Sequence, residues 1–247
     1  MTSTGVTAAG AGLRVESLDV WYGEFLALSG VSIEAAPGSV TAVLGANGAG
    51  KSSLARAVAG LVPARSGRII LDGTDIGPWP ADRVRRAGLA YVPEGRGIFP
   101  GLSVLDNLRM AARLAGGRGE RRSAIDRAFA LFPVLSERRS QSAGTLSGGE
   151  QQMLGLARAL AVEPRLIVAD EMSLGLAPRV VERVFEALGA VRDQGITLIL
   201  IEQFVHRALA VADRCVILTR GSVAWEGAAS EAGGEVLDRY LGEAEAG

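Results

Sequence analysis

The feature that most constrains the fold of this chain is a glycine-rich loop between a strand pattern and a helix pattern. Residues 45–53 read GANGAGKSS, the apolar run VTAVL precedes them, and a helical pattern begins at the lysine. Glycines let the backbone wrap tightly, so that successive N–H groups and a helix N-terminus can hold phosphate oxygens. An ordinary glycine-rich turn is the weaker alternative, because it requires neither flanking element. The order therefore predicts a phosphate-binding loop in an α/β domain.

The polar side chains of this loop predict what it binds. Lys51 would place a compact ammonium on the β- and γ-phosphates of a nucleotide, and the Ser52 hydroxyl would bind Mg²⁺. Lys51 is the single lysine among 26 basic residues, and it stands where a planar guanidinium would be too bulky. The predicted nucleotide-binding residues of the loop are Gly45, Asn47, Gly48, Ala49, Gly50, Lys51, Ser52 and Ser53.

A second motif lies far downstream, where an apolar run ends in two carboxylates. The segment RLIVADE spans residues 165–171. Its pattern is that of a core strand that carries Asp170 as a Mg²⁺ ligand and Glu171 as the base that orients and deprotonates an attacking water. A solvated strand end is the alternative for such a segment alone. The phosphate-binding loop upstream favours the catalytic interpretation, with ATP and Mg²⁺ as the bound species.

A third motif lies between the first two and carries a family resemblance. Residues 146–152 read LSGGEQQ, which resembles the signature motif of ABC ATPases. A serine followed by glycines is by itself also consistent with a capped helix start. The resemblance implies that the motif covers the γ-phosphate held by a second chain, so that two chains enclose two ATP molecules. The residues assigned to this contact in trans are Leu146, Ser147, Gly148, Gly149 and Glu150.

The resemblance extends over almost the whole chain and is most specific for the ATPase subunits of branched-chain amino-acid importers. Segments such as YVPEGRGIFPGLSVLDNL and SLGLAP carry it. By this resemblance Tyr22 stacks on adenine, with a core tyrosine as the alternative. Glu94 stands where most ABC ATPases have Gln. It would hold the Mg²⁺ shell through water and contact a transmembrane subunit.

Three further positions bear on the predicted catalytic site. Gln203 stands where most ABC ATPases carry a switch histidine, and an amide can donate to the γ-phosphate but cannot ionise. Met172 follows Glu171 where proline is usual, which restores a backbone N–H and predicts altered loop geometry rather than lost chemistry. His206, the only histidine, could reach the nucleotide instead, although a partly exposed helix residue is the better interpretation.

Strand and helix patterns alternate along the chain except in one long internal segment. From about residue 103 to 162 only helical patterns occur, whereas strand patterns recur on both sides. This order predicts a helical subdomain, at about 96–162, inserted into a mostly parallel sheet. With the resemblance, we expect one ABC ATPase domain over 13–247: an α/β P-loop NTPase core with a mixed sheet and an N-terminal antiparallel β subdomain. Residues 1–12 would form a flexible tail.

Composition constrains the location of the protein and its partners. The formal net charge of -1 argues against nucleic acid as a partner. No apolar run approaches the roughly 18 residues that cross a bilayer, and the start lacks the pattern of a signal peptide. The lone Cys215 fits a core residue in a reducing cytoplasm. We therefore expect a peripheral protein on the cytoplasmic face of the inner membrane.

The motifs together predict ATP hydrolysis that powers the uptake of branched-chain amino acids. The resemblance implies transmembrane permease subunits, a second ATPase subunit in a heterodimer or homodimer, and an extracytoplasmic substrate-binding protein that acts indirectly. An importer of urea or short amides is an alternative, because the ATPases of such importers closely resemble those of branched-chain amino-acid importers. A soluble ABC ATPase that acts on ribosomes or DNA is disfavoured by the single compact cassette. A regulator without hydrolysis is disfavoured by Glu171.

Overall fold

The protein's structure is a computed structural model that describes residues 11–234 and 236–237. Its strands are β1 (Leu13–Tyr22), β2 (Phe25–Ala35), β3 (Val40–Leu44), β4 (Ser66–Leu71), β5 (Thr74–Asp75), β6 (Leu89–Val92), β7 (Leu166–Asp170), β8 (Thr197–Ile201), β9 (Arg214–Thr219) and β10 (Ser222–Ala228). They form a four-stranded antiparallel sheet in the order β2-β1-β4-β5 and a six-stranded sheet in the order β10-β9-β3-β8-β7-β6. In the larger sheet β10 is antiparallel to β9, and the other neighbours are parallel. The predicted mixed sheet with an N-terminal antiparallel part is therefore confirmed.

Helices pack around the sheets, and four of them occupy the segment for which only helical patterns were found. The α-helices are α1 (Lys51–Val58), α2 (Ala81–Arg86), α3 (Val104–Ala111), α4 (Arg118–Leu131), α5 (Pro133–Glu137), α6 (Gly148–Leu160), α7 (Pro178–Arg192) and α8 (Val205–Val211). Helices α3 to α6 fall within residues 96–162, all of which are described, and the β-pairing there is one isolated bridge between Ser103 and Ser142. Within the described residues, no helix has the length and apolar character needed to cross a membrane.

The hydrophobic core lies on both faces of the six-stranded sheet. Along β8, Leu198 and Leu200 pack in one buried cluster, whereas Ile199 and Ile201 pack in the other. A strand covered on both faces reads as a continuous apolar run, as the segment ITLILI does. Cys215 of β9 is fully buried, and this burial raises the pKa of its thiol to about 12. Its predicted place in the core is therefore confirmed.

Strand β10 has no clear signal in the sequence. It lies at the edge of the larger sheet and pairs antiparallel with β9. Its register shifts between Val223 and Trp225, and most of its residues are only partly buried. An irregular edge strand loses the strict alternation of apolar and polar residues by which strands are recognised. For this reason the pattern of its segment, SVAWEGA, does not predict a strand.

Part of the predicted N-terminal tail belongs to the folded domain. Residues 1–10 lie outside the described residues. Ala11 is fully buried, and its N–H donates to the carbonyl oxygen of Arg165 at 3.2 Å. The N–H of Gly12 donates to Oδ1 of Asp72 at 2.8 Å. These two backbone groups are paired within the fold, so the folded region begins no later than residue 11.

Candidate functional site

The predicted site residues leave the larger sheet at one edge. The parallel strands β3, β6, β7 and β8 end next to one another, with Val92 beside Ala169 and Asp170 beside Ile201. The phosphate-binding loop follows β3, Glu171 follows β7, and the segments of Glu94 and Gln203 follow β6 and β8. Ligands of open α/β sheets bind at this carboxyl edge. The order of the strands in the sheet therefore brings together residues that are far apart in sequence.

The phosphate-binding loop is fixed by close backbone contacts that require glycine. Gly50, at φ 103°, precedes α1, and a Cβ there would lie 2.7 Å from Cδ2 of Leu28 and 2.9 Å from the carbonyl oxygen of Ala27. A Cβ at Gly45 would lie 2.5 Å from the carbonyl oxygen of Leu218. Larger residues would therefore displace the loop from β2 and β9. The loop leads directly into α1, whose first N–H groups are available to anions.

Lys51 is buried and held among groups of the same site. It is 4% exposed, and its Nζ donates to the carbonyl oxygens of Gly45 at 2.9 Å and Ala46 at 3.3 Å. Its Nζ also lies 3.5 Å from Oε1 of Glu171, which forms an ion pair. A buried ammonium is costly unless it is paired. The fold thus brings together the predicted phosphate-binding cation and the predicted general base.

Ser52 and Asp170 provide oxygen atoms that suit a magnesium ion. Oγ of Ser52 donates to Oδ1 of Asp170 at 3.3 Å, and the Tyr91 hydroxyl donates to Oδ2 at 2.9 Å. Burial raises the pKa of Asp170, and the Glu171 charge adds to this, whereas the Tyr91 hydrogen bond lowers it. A divalent cation would favour the ionised form of this carboxyl. Hard oxygen donors of this kind fit Mg²⁺.

Glu171 has an uncommon backbone conformation. Its φ of 50° lies in the left-handed region, and its N–H donates to the carbonyl oxygen of Ile201 at 2.8 Å. Such a conformation is unfavourable for a residue with a Cβ and persists only where the surroundings enforce it. Met172 follows with its side chain fully buried in the core. The loop is therefore anchored by core packing at the position where proline is usual.

Two functional candidates near Glu171, Glu202 and Ser173, are not among the site residues that the sequence motifs predict. Glu202, directly after β8, is 1% exposed, and its carboxylate accepts hydrogen bonds from the N–H and the hydroxyl of Ser173. Burial raises the pKa of Glu202 to about 7, although the hydrogen bonds from Ser173 lower it. The sequence signal for Glu202 is an acid that directly follows a continuous apolar strand. Because acids are rarely buried without a partner, this position indicates that the carboxylate is paired inside the fold.

Tyr22 lies at the tip of the β1–β2 hairpin rather than in the core. It pairs with Phe25 across the turn and is 41% exposed. Its hydroxyl interacts with the guanidinium of Arg56 on α1. Hydrogen bonds with Tyr91 and, to a smaller extent, with Tyr22 raise the pKa of Arg56. The structure thus excludes the core-tyrosine alternative. It places the ring beside the helix that follows the phosphate-binding loop.

The signature segment begins helix α6 with a capping box. Ser147 is the N-cap: its Oγ accepts the N–H of Glu150 at 3.4 Å, and Oε2 of Glu150 accepts the N–H of Ser147 at 2.8 Å. Arg138 adds an ion pair, with its Nε 2.9 Å from Oε1 of Glu150. Leu146 and Gly149 are buried, whereas Ser147 is exposed and Gly148 partly exposed. The surface that a second chain could contact is therefore centred on Ser147 and Gly148.

Gly149 has a packing requirement that affects how the motif can be tested. A Cβ at this position would overlap Cγ1 of Val180 on α7. We expect Gly149→Ala to lower the free energy of unfolding by about 1–3 kcal/mol, as overpacking does. Adding Val180→Ala to this variant should recover part of the loss. Thermal unfolding measures both effects, with Gly119→Ala on α4 as the control, because a Cβ there meets nothing within 4 Å. Equal stability of the two alanine variants would contradict this expectation.

The remaining predicted residues lie on the surface near the same edge. Glu94 and Gln203 are exposed, and so is His206 on α8. Gln203 is separated from β8 only by Glu202, whereas His206 lies beyond the start of α8. The exposed position of His206 agrees with the helix-surface interpretation. Direct contact of these side chains with the phosphate-binding loop stays a prediction.

A pocket of about 220 Å³ lies beside the segment that carries Glu94. It is bounded by β6 and α6, and Arg85, Arg96 and Arg158 are among its lining residues. Burial lowers the pKa of Arg85 and of Arg158. Among the described residues no carboxylate lines this pocket. Its charge therefore favours an acidic occupant.

Comparisons with known proteins agree on the class of this chain. The family model for ABC transporters matches residues 28–173. A Pseudomonas aeruginosa protein, the high-affinity branched-chain amino acid transport ATP-binding protein BraG, is 40% identical over 93% of this chain and 99% of its own length. The probable branched-chain amino acid transport ATP-binding protein LivF of Archaeoglobus fulgidus is 37% identical over 89% of this chain and 93% of its own.

Solved structures give the same answer for the fold. A nucleotide-free ATP-binding cassette from an ABC transporter superposes with a TM-score of 0.81 at 27% identity, covering 95% of this chain and 96% of the other. The ADP conformation of MJ1267, a cassette of an ABC transporter, gives 0.79 at 28% identity, with the same coverage of 95% and 96%. The family match runs from β2 to the loop after β7, and the relatives align over nearly their full lengths. The chain belongs to the ABC transporter family.

Proposed function

We propose that this ATPase powers the import of branched-chain amino acids through separate permease subunits. The observation that carries the proposal is the convergence of Lys51, Glu171, Ser52 and Asp170 at one sheet edge, with Nζ of Lys51 3.5 Å from Oε1 of Glu171. These are the groups that ATP hydrolysis requires. The names of the relatives BraG and LivF support the substrate class.

The chemistry assigns a separate task to each group of the site. The phosphate-binding loop and Lys51 hold the phosphates, and Tyr22 stacks on the adenine. Ser52 and Asp170 would hold Mg²⁺, with Glu94 acting through water, and the ion would offset the phosphate charge. Glu171 orients the attacking water and accepts its proton.

Gln203 would donate a hydrogen bond to the γ-phosphate from the adjoining strand end. As an amide it stays neutral, so it stabilises the developing charge less than a histidine that can become cationic. Because this function needs no proton on the side chain, we expect the contribution of Gln203 to be independent of pH.

A second ATPase subunit would complete the site. Ser147 and Gly148 lie at the exposed N-terminus of α6, where free N–H groups favour an anion. We infer that they bind the γ-phosphate of a second subunit, either another copy of this chain or a related one. The remaining motif residues, Leu146, Gly149 and Glu150, support that surface by packing and by capping.

Permease subunits would dock at the face that carries the pocket lined by Arg85, Arg96 and Arg158. This pocket adjoins the Glu94 segment, so a docked permease would lie next to the nucleotide site. The protein would then be peripheral, on the cytoplasmic face of the inner membrane. An extracytoplasmic substrate-binding protein would act on it only through the permeases. A chain with a net charge of -1 lacks the excess of positive charge that is typical of nucleic-acid-binding proteins.

Uptake in the host cell tests the substrate class. We expect deletion of this chain to abolish uptake of labelled leucine, isoleucine and valine. The unaltered chain should restore it, whereas Glu171→Gln should not, because that variant lacks the base. Labelled urea serves as the control substrate. Loss of urea uptake with normal leucine uptake would replace the proposed substrate by the urea alternative.

A further inference from the structure

One buried acid among the described residues has no task in the proposed chemistry. Glu202 directly follows β8 and is 1% exposed. Lys51 and Asp170 are buried as well, but they have roles at the phosphates and at the metal. A buried carboxylate is costly unless both of its oxygens are paired. The hydrogen-bond partners of Glu202 therefore indicate the role of this buried carboxylate.

Both oxygens of the Glu202 carboxylate are paired with one residue. Oε1 accepts the backbone N–H of Ser173 at 3.2 Å, and Oε2 accepts the Ser173 hydroxyl. Ser173 is itself 1% exposed, so the contact is shielded from water. The backbone N–H of Gln203 also hydrogen-bonds to the carboxylate. We refer to Glu202 and Ser173 as the carboxyl clamp.

The carboxyl clamp joins the two segments that carry the predicted catalytic residues. Ser173 lies two residues after Glu171, and Glu202 immediately precedes Gln203. The N–H of Glu171 donates to the carbonyl oxygen of Ile201, the last residue of β8, at 2.8 Å. The loop after β7 is therefore tied to the end of β8 on both sides of Met172. A shift of one segment would move the other.

The backbone of Glu171 needs such a restraint. Its φ of 50° is a conformation that persists only where the surroundings fix it. The next residue is Met172 rather than proline, so ring closure does not restrict the backbone there. Besides the core packing of Met172, the restraint on this loop comes from hydrogen bonds, to the Ile201 carbonyl before Met172 and within the carboxyl clamp after it.

We propose that Glu202 is a positioning residue that, through Ser173, holds Glu171 and Gln203 in the geometry for hydrolysis. The inference rests on the proposed function, since it requires Glu171 to act on the attacking water. If the pair had a purely structural role, breaking it would lower the stability of the fold and leave kcat unchanged. The two roles therefore differ in what a broken clamp does to kcat.

The same strand offers a matched control at its other end. Thr197 begins β8, is fully buried, and accepts the N–H of Gly38 at its Oγ1 at 2.8 Å. Thr197→Val removes one buried hydrogen bond of β8 at the end opposite the predicted site. It should lower the melting temperature and leave kcat unchanged.

Steady-state ATP hydrolysis by the full chain, assembled with its second ATPase subunit and permeases, separates the two roles. We expect Glu202→Met to lower kcat about 10-fold with KM and ATP affinity changed less than 2-fold, because a thioether side chain of similar length offers neither acceptor oxygen to Ser173. Ser173→Ala should do the same. The double variant should be no slower than the slower single variant, because both break one contact. Additive losses, or a kcat in these variants as high as in Thr197→Val, would overturn the proposal.

Hydrogen exchange gives a measurement that does not need turnover. The peptide covering residues 171–176 should exchange at least several-fold faster in Glu202→Met than in Thr197→Val, because the methionine side chain leaves the Ser173 amide without its acceptor. Equal exchange in the two variants would overturn the clamp itself. The expected exchange together with no ATP hydrolysis by the unaltered chain in complex with its second ATPase subunit and permeases would instead contradict the proposed function.

Discussion

Replacing Glu171 by glutamine is expected to lower ATP turnover by about 100-fold or more while the chain still binds ATP. The amide has nearly the same size as the carboxylate but cannot accept the proton of the attacking water. Lys51 keeps its hydrogen bonds to the carbonyl oxygens of Gly45 and Ala46, so the phosphate-binding loop stays in place. If a second subunit closes on the bound nucleotide, this variant should accumulate as an ATP-bound dimer.

Turnover by steady-state phosphate release and ATP affinity by calorimetry check this expectation. Glu163→Gln is a matched control, because Glu163 also has a left-handed backbone, at φ 55°, and is exposed in an ion pair with Arg127. The control should retain normal turnover. Near-normal turnover in Glu171→Gln would remove the general-base assignment.

Replacing Lys51 by methionine should weaken ATP binding by about 10- to 100-fold. Hydrogen bonds to charged groups contribute about 1.5–3 kcal/mol, and each 1.4 kcal/mol corresponds to about a factor of ten in affinity. The methionine side chain retains the buried stem and removes only the ammonium. Among the described residues Lys51 is the sole lysine, so no second ammonium can take its place.

Calorimetry with ATP and with the Mg²⁺ complex measures this loss, and thermal unfolding shows whether the variant is folded. Arg86→Met removes an exposed cation from α2, where it pairs with Asp82, and should leave ATP affinity unchanged. Unaltered affinity in a folded Lys51→Met protein would show that the loop binds phosphate through its backbone alone.

The chemical groups of the site could be predicted from the sequence because each lies in a contiguous motif. Gly45 to Ser53 form one turn between a strand and a helix, and Asp170 and Glu171 end one apolar run. Such motifs depend on local backbone geometry, which neighbouring residues determine. The succession of the longer strands and helices followed from the same local patterns, which gave no signal for the two-residue strand β5, the short helix α5 and the irregular edge strand β10.

The sequence alone therefore determined the phosphate-binding loop, the strand with its two carboxylates, the capped signature helix and the class of fold. Only the tertiary structure decided which of these meet: Lys51 with Glu171, Tyr91 with Asp170, Glu202 with Ser173, and Gly149 with Val180. The physical reason is that these pairs depend on strand order and on helix packing, which periodicity does not encode. The sequence shows Glu202 only as an acid directly after an apolar strand, and its partner becomes visible only when β7 lies beside β8.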